Sequence, residues 1–366
     1  MIKRLCPEGV EYVKLGEVCD VGTGSGNRQD ATEDGKYPFF VRSKEVLLNE
    51  KYEFDEEAIL IPGEGGIGDI FHYYKGKYAL HQRTYRIHPT NDKINTKFLY
   101  YYMFANFKKF ILMKAVSATV TSIRKPMIEN FLIPLPPLEI QSRIVEILDK
   151  MTTLTTELEA ELEARKQQYE YYRNKLLTFN EIGGGKIRQV AWKKISEIGT
   201  VMRGKRLTKK MLSEDNMYPV YHGGLSPIGK YSMKNRDANT VMIINVGASA
   251  GTVGFCVTDF WSSDGCFCLD LKKSIMSKYA YHALVIKQRL IQSRVRKAGI
   301  PTLDASAVES IVIPVPSMEE QSRIVSILDR FEALTTDLQS GLPAEIEARR
   351  QQYEYYRNKL LTFEAV

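Results

Sequence analysis

No stretch of this 366-residue chain approaches the roughly 18 uncharged apolar residues that a membrane span requires, and its Met-Ile-Lys-Arg start is not followed by an apolar signal core. The chain is therefore expected to be soluble and cytoplasmic, with no membrane partner. Cysteine is sparse: Cys6, Cys19, Cys256, Cys266 and Cys268 are odd in number and show no pairing pattern. Cys266 and Cys268 form a CxC, yet no second pair or nearby histidine completes a zinc set, so reduced thiols are expected and no metal site is assigned. Nor do His72, His81, His88, His222 and His282 show ligand spacing or a helical i, i+4 pair.

Cofactor loops are missing as well. Residues 63–68, GEGGIG, fit GxGxxG, but the following DIFHYYKGKYAL is aromatic and strand-like, with no acidic residue about 20 positions on, which favours a tight turn. Residues 199–205, GTVMRGK, begin like a phosphate-cradling loop, but Arg206 stands where a metal-binding Ser or Thr is needed. No methyltransferase, nuclease or hydrolase constellation is found, so no catalytic residue is assigned.

What the chain does have, it has twice. Residues 133–158 read IPLPPLEIQSRIVEILDKMTTLTTEL and residues 313–338 read IPVPSMEEQSRIVSILDRFEALTTDL, an offset of 180. Each copy runs into the same ending, RKQQYEYYRNKLLTF from Arg165 and RRQQYEYYRNKLLTF from Arg349, now offset by 184 because QSGLPAEIEA replaces EAELEA. Apolar residues recur three or four apart along the first copy, through Ile144, Leu148, Tyr169, Tyr172 and Leu176, and along the second through Ile324, Leu328, Tyr353, Tyr356 and Leu360. That spacing makes one stripe on a long helix, about 60 Å for some 40 residues, and a striped rod needs a partner. The tyrosines of the stripe are read as seam packing. Since the second helix has no further domain to reach, the pair is expected to be antiparallel and related by a pseudo-twofold. The Ser340-Gly341-Leu342-Pro343 interruption is expected to bend the second rod.

The repeat also frames the globular parts. VEYVKLGEV (10–18) aligns with VAWKKISEI (190–198), and residues 118–136 align with 298–316, both at 180, while the interiors diverge. The expected layout is mixed α/β (α+β): globular domains over 1–133 and 181–313, long helices over 134–180 and 314–366. Strands are read near 37–42, 58–61, 69–74 and 78–88 in the first domain, and near 218–222, 240–245, 251–257 and 266–271 in the second. Late helices are read over 96–114 and 277–296. The net charge of +7 is uneven: residues 187–313 hold 19 basic and 9 acidic side chains, against 19 and 17 in residues 1–133, and both helical segments are acidic. Basic globular parts on acidic rods suit contact with a polyanion.

The order of domain, PLPPLEIQSRIVEILD helix, domain, PVPSMEEQSRIVSILD helix, with QQYEYYRNKLLTF closing each helix, resembles the DNA-specificity subunits of type I restriction-modification enzymes along the whole chain. The resemblance implies two target recognition domains that each read half of a split duplex site. It implies helices that set their separation and dock two modification subunits, which hold S-adenosylmethionine and methylate adenine. Restriction subunits, using ATP and Mg, would join that core, and this chain would carry no cofactor. A protein-only coiled-coil adaptor and a stand-alone DNA-modifying enzyme are the rival readings; the basic second domain opposes the first and the missing motifs oppose the second. Side chains of the kinds that contact DNA are Arg28, Arg42, Lys44, Arg83, Arg124 and Lys125 in the first domain. In the second they are Arg203, Lys205, Arg206, Lys230, Lys234, Arg236, Arg294 and Arg296.

Overall fold

The computed structural model describes residues 6–114, 122–179, 190–337 and 340–366. The 183–185 glycine linker and positions 118–121 of the repeated edge lie outside them. Two compact units divide the chain, one formed by residues 1–159 with 346–366 and the other by 160–345. The longer helices are α1 (Thr96–Lys114), α2 (Leu138–Thr178), α3 (Ser277–Ile286), α4 (Met318–Thr336) and α5 (Leu342–Leu360). Among the described residues none is long and apolar enough to cross a membrane.

In the first unit the strands are β1 (Tyr12–Lys14), β2 (Cys19–Thr23), β3 (Tyr37–Phe40), β4 (Val46–Asn49), β5 (Phe54–Pro62), β6 (His72–Leu80), β7 (Thr84–Pro89) and β8 (Leu132–Pro134). Six of them form one sheet in the order β2-β7-β5-β6-β3-β4, antiparallel except where β3 lies parallel to β6. The aromatic run of α1 buries Phe98, Leu99, Met103, Phe107 and Ile111 against the strand residues Ile59, Ile61 and Ile87. Into the same core α2 sends Ile140, Ile144 and Leu148, spaced four apart and fully buried.

The second unit repeats this plan. Its strands are β9 (Ala191–Lys194), β10 (Gly199–Arg203), β11 (Tyr218–Tyr221), β12 (Lys230–Tyr231), β13 (Thr240–Ile244), β14 (Val253–Cys256), β15 (Trp261–Ser262), β16 (Cys266–Leu271) and β17 (Val312–Val315). They form a four-stranded sheet, β10-β16-β13-β14, and a three-stranded one, β12-β11-β15. The cause of the split is local. Where β6 runs unbroken for nine residues, the second unit turns between β14 and β15, and Asp259 holds that turn by accepting from the Ala238 N–H at 2.9 Å and from Lys234 at 2.7 Å.

The 180-residue offset persists in the hydrogen bonding. Lys14 pairs with Leu132 across β1 and β8, and Lys194 with Val312 across β9 and β17. Just beyond, Leu15 N–H donates to Phe131 and Ile195 N–H to Ile311. The glutamine of each QSR is fully buried. Gln141 donates to the Lys93 and Pro136 carbonyls (2.9 and 2.7 Å) and accepts from Asn95 N–H (2.8 Å). Gln321 does the same with Ser274, Pro316 and Met276 (3.1, 3.0 and 2.9 Å). Each therefore fastens the start of its long helix to the loop that precedes the domain helix.

Several expectations are corrected. Residues 75–77, left between the strands expected at 69–74 and 78–88, lie inside β6, where Gly76 pairs with Glu56, and the reversal comes at His81–Arg83. The helix expected over 277–296 breaks at Lys287. The second rod is divided at the expected interruption, since α4 ends at Thr336 and α5 begins at Leu342. Ile144, Leu148, Ile324 and Leu328 belong to the domain cores more than to a helix–helix seam. Tyr353 and Leu360 pack on the first core, and Tyr169 and Leu176 on the second. Tyr172 stacks on Phe331 while remaining 36% exposed, and Tyr356 is 40% exposed. Tyr169 stacks on the same Phe331 ring, so both tyrosines meet α4, with Tyr172 at the rim of the contact. In the first unit α5 runs antiparallel to α2: Arg350 pairs with Glu159 at 2.5 Å, Tyr353 lines one cavity with Asp149 and Thr152, and Phe363 meets Phe98.

Asp149 and Asp329, 180 apart, receive the domain helices. Tyr101 donates to Asp149 at 2.5 Å, while the corresponding His282 lies 3.3 Å from Asp329. His282, Asp329 and Glu332 bring possible metal ligands within 4.8 Å of one another. Lys278, 2.7 Å from Glu332 and 3.8 Å from Asp329, already supplies a cation there.

Two consequences are testable. Replacing Gln141 or Gln321 by leucine removes three hydrogen bonds made by a buried side chain to backbone, and urea unfolding is expected to show a loss of roughly 2–4 kcal/mol for either change. Burial pushes the pKa of His282 down to about 4. Between there and its ordinary value near 6.5 the unfolded chain binds the extra proton, so stability is full above about 6.5 and falls on acidification, levelling off below 4. His282→Tyr, the residue found at Tyr101, is expected to abolish that decline of roughly 3 kcal/mol; denaturation midpoints at pH 7 and pH 4.5 measure it.

Candidate nucleic-acid interface

In the first unit the 180-offset scaffold brings three sequence-distant segments to one place. β2 ends at Thr23, and Gly24 follows so close to the β6–β7 turn that a Cβ there would lie 2.0 Å from the Leu80 carbonyl oxygen. Only glycine lets the loop pass, and the loop then delivers Asn27, Arg28 and Gln29 beside Arg42 and the His81-Gln82-Arg83 turn. These residues line an open cleft of about 550 Å³. Gly26 N–H donates to Leu80 and Gln82 N–H to Gly26, so the loop and the turn are stitched together. The side chains interlock as well: Gln82 donates to Asn27 Oδ1 at 2.5 Å, and Asp30 accepts from Asn27 N–H at 2.6 Å.

The cleft is basic. His81 is held neutral, because burial and then the Arg42 and Arg83 charges lower its pKa; its Nδ1 accepts from Arg83 N–H at 3.0 Å. Arg28 makes no ion pair among the described residues, whereas Arg42 and Arg83 both donate to Glu64, at 3.2 and 2.9 Å. Asn27, Gln29 and Gln82 were passed over at the level of sequence, although amide side chains suit base edges. A usable signal was present: NRQ follows a glycine-rich strand end. Lys44 is exposed on the loop after Arg42, and Arg124 is exposed just beyond Ile123, whose N–H donates to Gly63. Lys125 pairs with Glu129 on its own short helix at 3.6 Å.

In the second unit Gly204 takes the place of Gly24, with a Cβ there 2.1 Å from the Ser263 carbonyl oxygen. The residues it carries are different. Arg203 ends β10, and the Lys205 backbone is fixed by Ser262 and by the Trp261 indole N–H, at 2.9 and 2.8 Å. The side chains of Lys205 and Arg206 make no ion pair among the described residues. Arg236 supports this loop from within, donating to the Arg203 and Asn235 carbonyls at 3.2 and 2.6 Å. Its Nε is buried near Cys268 and has no acceptor among the described residues. Hydrogen bonding from Cys266, against the effect of burial, and then Ser262 and Arg236 lower the Cys268 thiol to about 7. All five cysteines are free thiols.

The remaining basic candidates are tied into the fold. Lys230 donates to the Glu214 carbonyl at 3.3 Å, and Lys234 lies between Asp237 and Asp259 at 2.8 and 2.7 Å. Arg294 caps the short helix 305–309, donating to the Ala307 carbonyl and Ser310 hydroxyl at 2.8 and 2.7 Å, and Arg296 pairs with Asp304 at 3.1 Å. The structure thus gathers Arg28, Arg42 and Arg83 in one unit and Arg203, Lys205 and Arg206 in the other.

The profile of the type I restriction modification DNA specificity domain matches residues 7–165 and again 189–348. The chain is 28% identical to a putative type I restriction enzyme specificity subunit of Haemophilus influenzae, over 97% of this chain and 96% of that protein. It is 35% identical to the EcoR124I/EcoR124II specificity subunit of Escherichia coli over 63% of this chain and 61% of the relative. In fold it is similar to the crystal structure of the type I restriction-modification S subunit from M. genitalium, with a TM-score of 0.65 and 19% identity over 96% of this chain and 95% of that one.

Proposed function

Because the chain belongs to the type I restriction-modification DNA specificity family, we propose that it reads a bipartite, asymmetric duplex site, one half with each unit, and that two modification subunits bound to it methylate adenine there. Restriction subunits joining that assembly would translocate and cut. S-adenosylmethionine, ATP and Mg belong to those partners; this chain contributes recognition and no catalytic group.

One observation carries the reading: glycines at equivalent positions, Gly24 and Gly204, bring unlike loops to the same place on one scaffold. Asn27-Arg28-Gln29 offers amide and guanidinium groups, which suit base edges, whereas Lys205-Arg206 offers cations that make no ion pair among the described residues, which suit phosphates and guanines. Shared framework with different chemistry is what two unlike half-sites require.

A second repeated feature bears on the partners. Tyr171 and Tyr172 are exposed and meet edge to face at 5.3 Å, with Lys175 5.6 Å from the Tyr171 ring centre. Tyr355, Tyr356 and Lys359 reproduce this at 5.2 and 5.6 Å. Exposed, rigid aromatic groups are the kind that anchor protein interfaces. The same surface occurring twice fits two copies of one partner.

Exchanging residues 20–117 for those of a relative is expected to change one half of the methylated motif and leave the other intact; methylome mapping reads this, and a change in both halves or in neither would refute the two-reader assignment. For the partners, Tyr171→Ala with Tyr172→Ala is expected to reduce the modification subunits from two to one in native mass spectrometry. Adding Tyr355→Ala and Tyr356→Ala should remove the second, and retention of both copies by the fourfold variant would exclude these tyrosines as the docking surface.

A further inference from the structure

An acidic side chain, Glu64, pairs with two of the arginines that line the basic cleft of the first unit. Glu64 follows β5, and its backbone is held from both sides: Gly63 N–H donates to the Arg83 carbonyl and Ile123 N–H to the Gly63 carbonyl, each at 2.9 Å, while Glu64 bridges to Ser122. The carboxylate is correspondingly fixed. Arg42 and Arg83 both donate to its Oε2, at 3.2 and 2.9 Å. Among the described residues Oε1 accepts no hydrogen bond, and the side chain is 39% exposed.

A carboxylate is an expensive group to carry onto DNA, because it repels every phosphate. It is tolerated where it accepts from an amino group on a base edge, and in the major groove the matching donor is the N4 amino group of cytosine. Each arginine gives Glu64 only one terminal nitrogen, so Arg42 and Arg83 keep donors for the O6 and N7 of guanine. Resting on the reading of this cleft as a DNA-contacting surface, we propose that Glu64 is a specificity-determining residue: its free Oε1 reads cytosine in the half-site of the first unit. Through Oε2 it holds Arg42 and Arg83 aimed at base edges and away from the phosphates of non-cognate DNA. Specificity of this kind needs a repulsive element beside the attractive ones, and Glu64 supplies it.

The test uses the full chain assembled with its modification partner, on duplexes randomised in each half-site. Glu64→Gln keeps the shape, removes the charge and adds an amide donor, which favours adenine. The expected result is relaxation of one cytosine position towards adenine by about tenfold, in the half-site that depends on residues 20–117. Binding to mixed-sequence duplex should tighten, and its log–log salt slope should steepen by about one for each arginine released. Glu64→Asp, which keeps the charge but withdraws the oxygens by one methylene, should weaken cognate binding and leave the non-specific slope unchanged. An unchanged motif in Glu64→Gln would overturn the inference. So would a uniform loss of binding to all sequences with an unaltered melting temperature, which would make Glu64 a structural clamp. Failure of the underlying reading is distinguishable: the wild-type complex would then show no base preference that depends on residues 20–117.

Discussion

The two-stranded clip that closes each globular unit, with the buried glutamine beside it, is the constraint on which the rest of the structure depends. Pairing of Lys14 with Leu132, and of Lys194 with Val312, brings the two ends of each interior together regardless of what lies between. Gln141 and Gln321 then join the emerging helix to the domain through three hydrogen bonds apiece, all made to backbone. Backbone bonds do not depend on the side chains of the loop they hold. The interiors are therefore free to differ in sequence while the clip, the glutamine and the helix start remain the same.

That freedom is visible in the two clefts. Gly24 and Gly204 occupy equivalent places against a carbonyl, where a methyl group would not fit, and so fix the path of the following loop without dictating its chemistry. In one unit the loop meets two arginines restrained by a carboxylate; in the other it carries cations that make no ion pair among the described residues and is supported from beneath by Arg236. The larger excess of positive charge in residues 187–313 has the same sense. Phosphate attraction provides affinity and register, and base-edge contacts provide discrimination, so the two units differ in the balance of these terms.

Much of the fold was legible in the chain itself. The repeated helix signatures, the proline stop before α2, the domain helix beginning at Thr96 and the strand 266–271 all appear where periodicity and punctuation placed them. The errors have common causes. Lys75-Gly76-Lys77 has the composition of a turn, but cross-strand pairing with β5 overrides local preference. The apolar stripe of α2 looked like a coiled-coil seam because periodicity reports a buried face without naming what buries it; for Ile144 and Leu148 the answer is the domain core. Tyr169 and Tyr172 share a stripe in sequence and both stack on Phe331, yet Tyr169 also packs on the second core while Tyr172 stays at the exposed rim.

What the sequence by itself determined is the tandem architecture, the first long helix and the family, since each of these is written in a local period or in a direct repeat. What only the tertiary structure decided is the content of the clefts: that Asn27, Arg42, Glu64 and Gln82 are neighbours, that Lys234, Arg294 and Arg296 are occupied by internal partners, and that Tyr171 and Tyr355 lie outside the packing. The physical reason is range. Helix and strand periods arise from interactions among residues a few positions apart, whereas a cleft is assembled by strand pairing between segments tens of residues apart, and its charge depends on which side chains that pairing leaves unsatisfied.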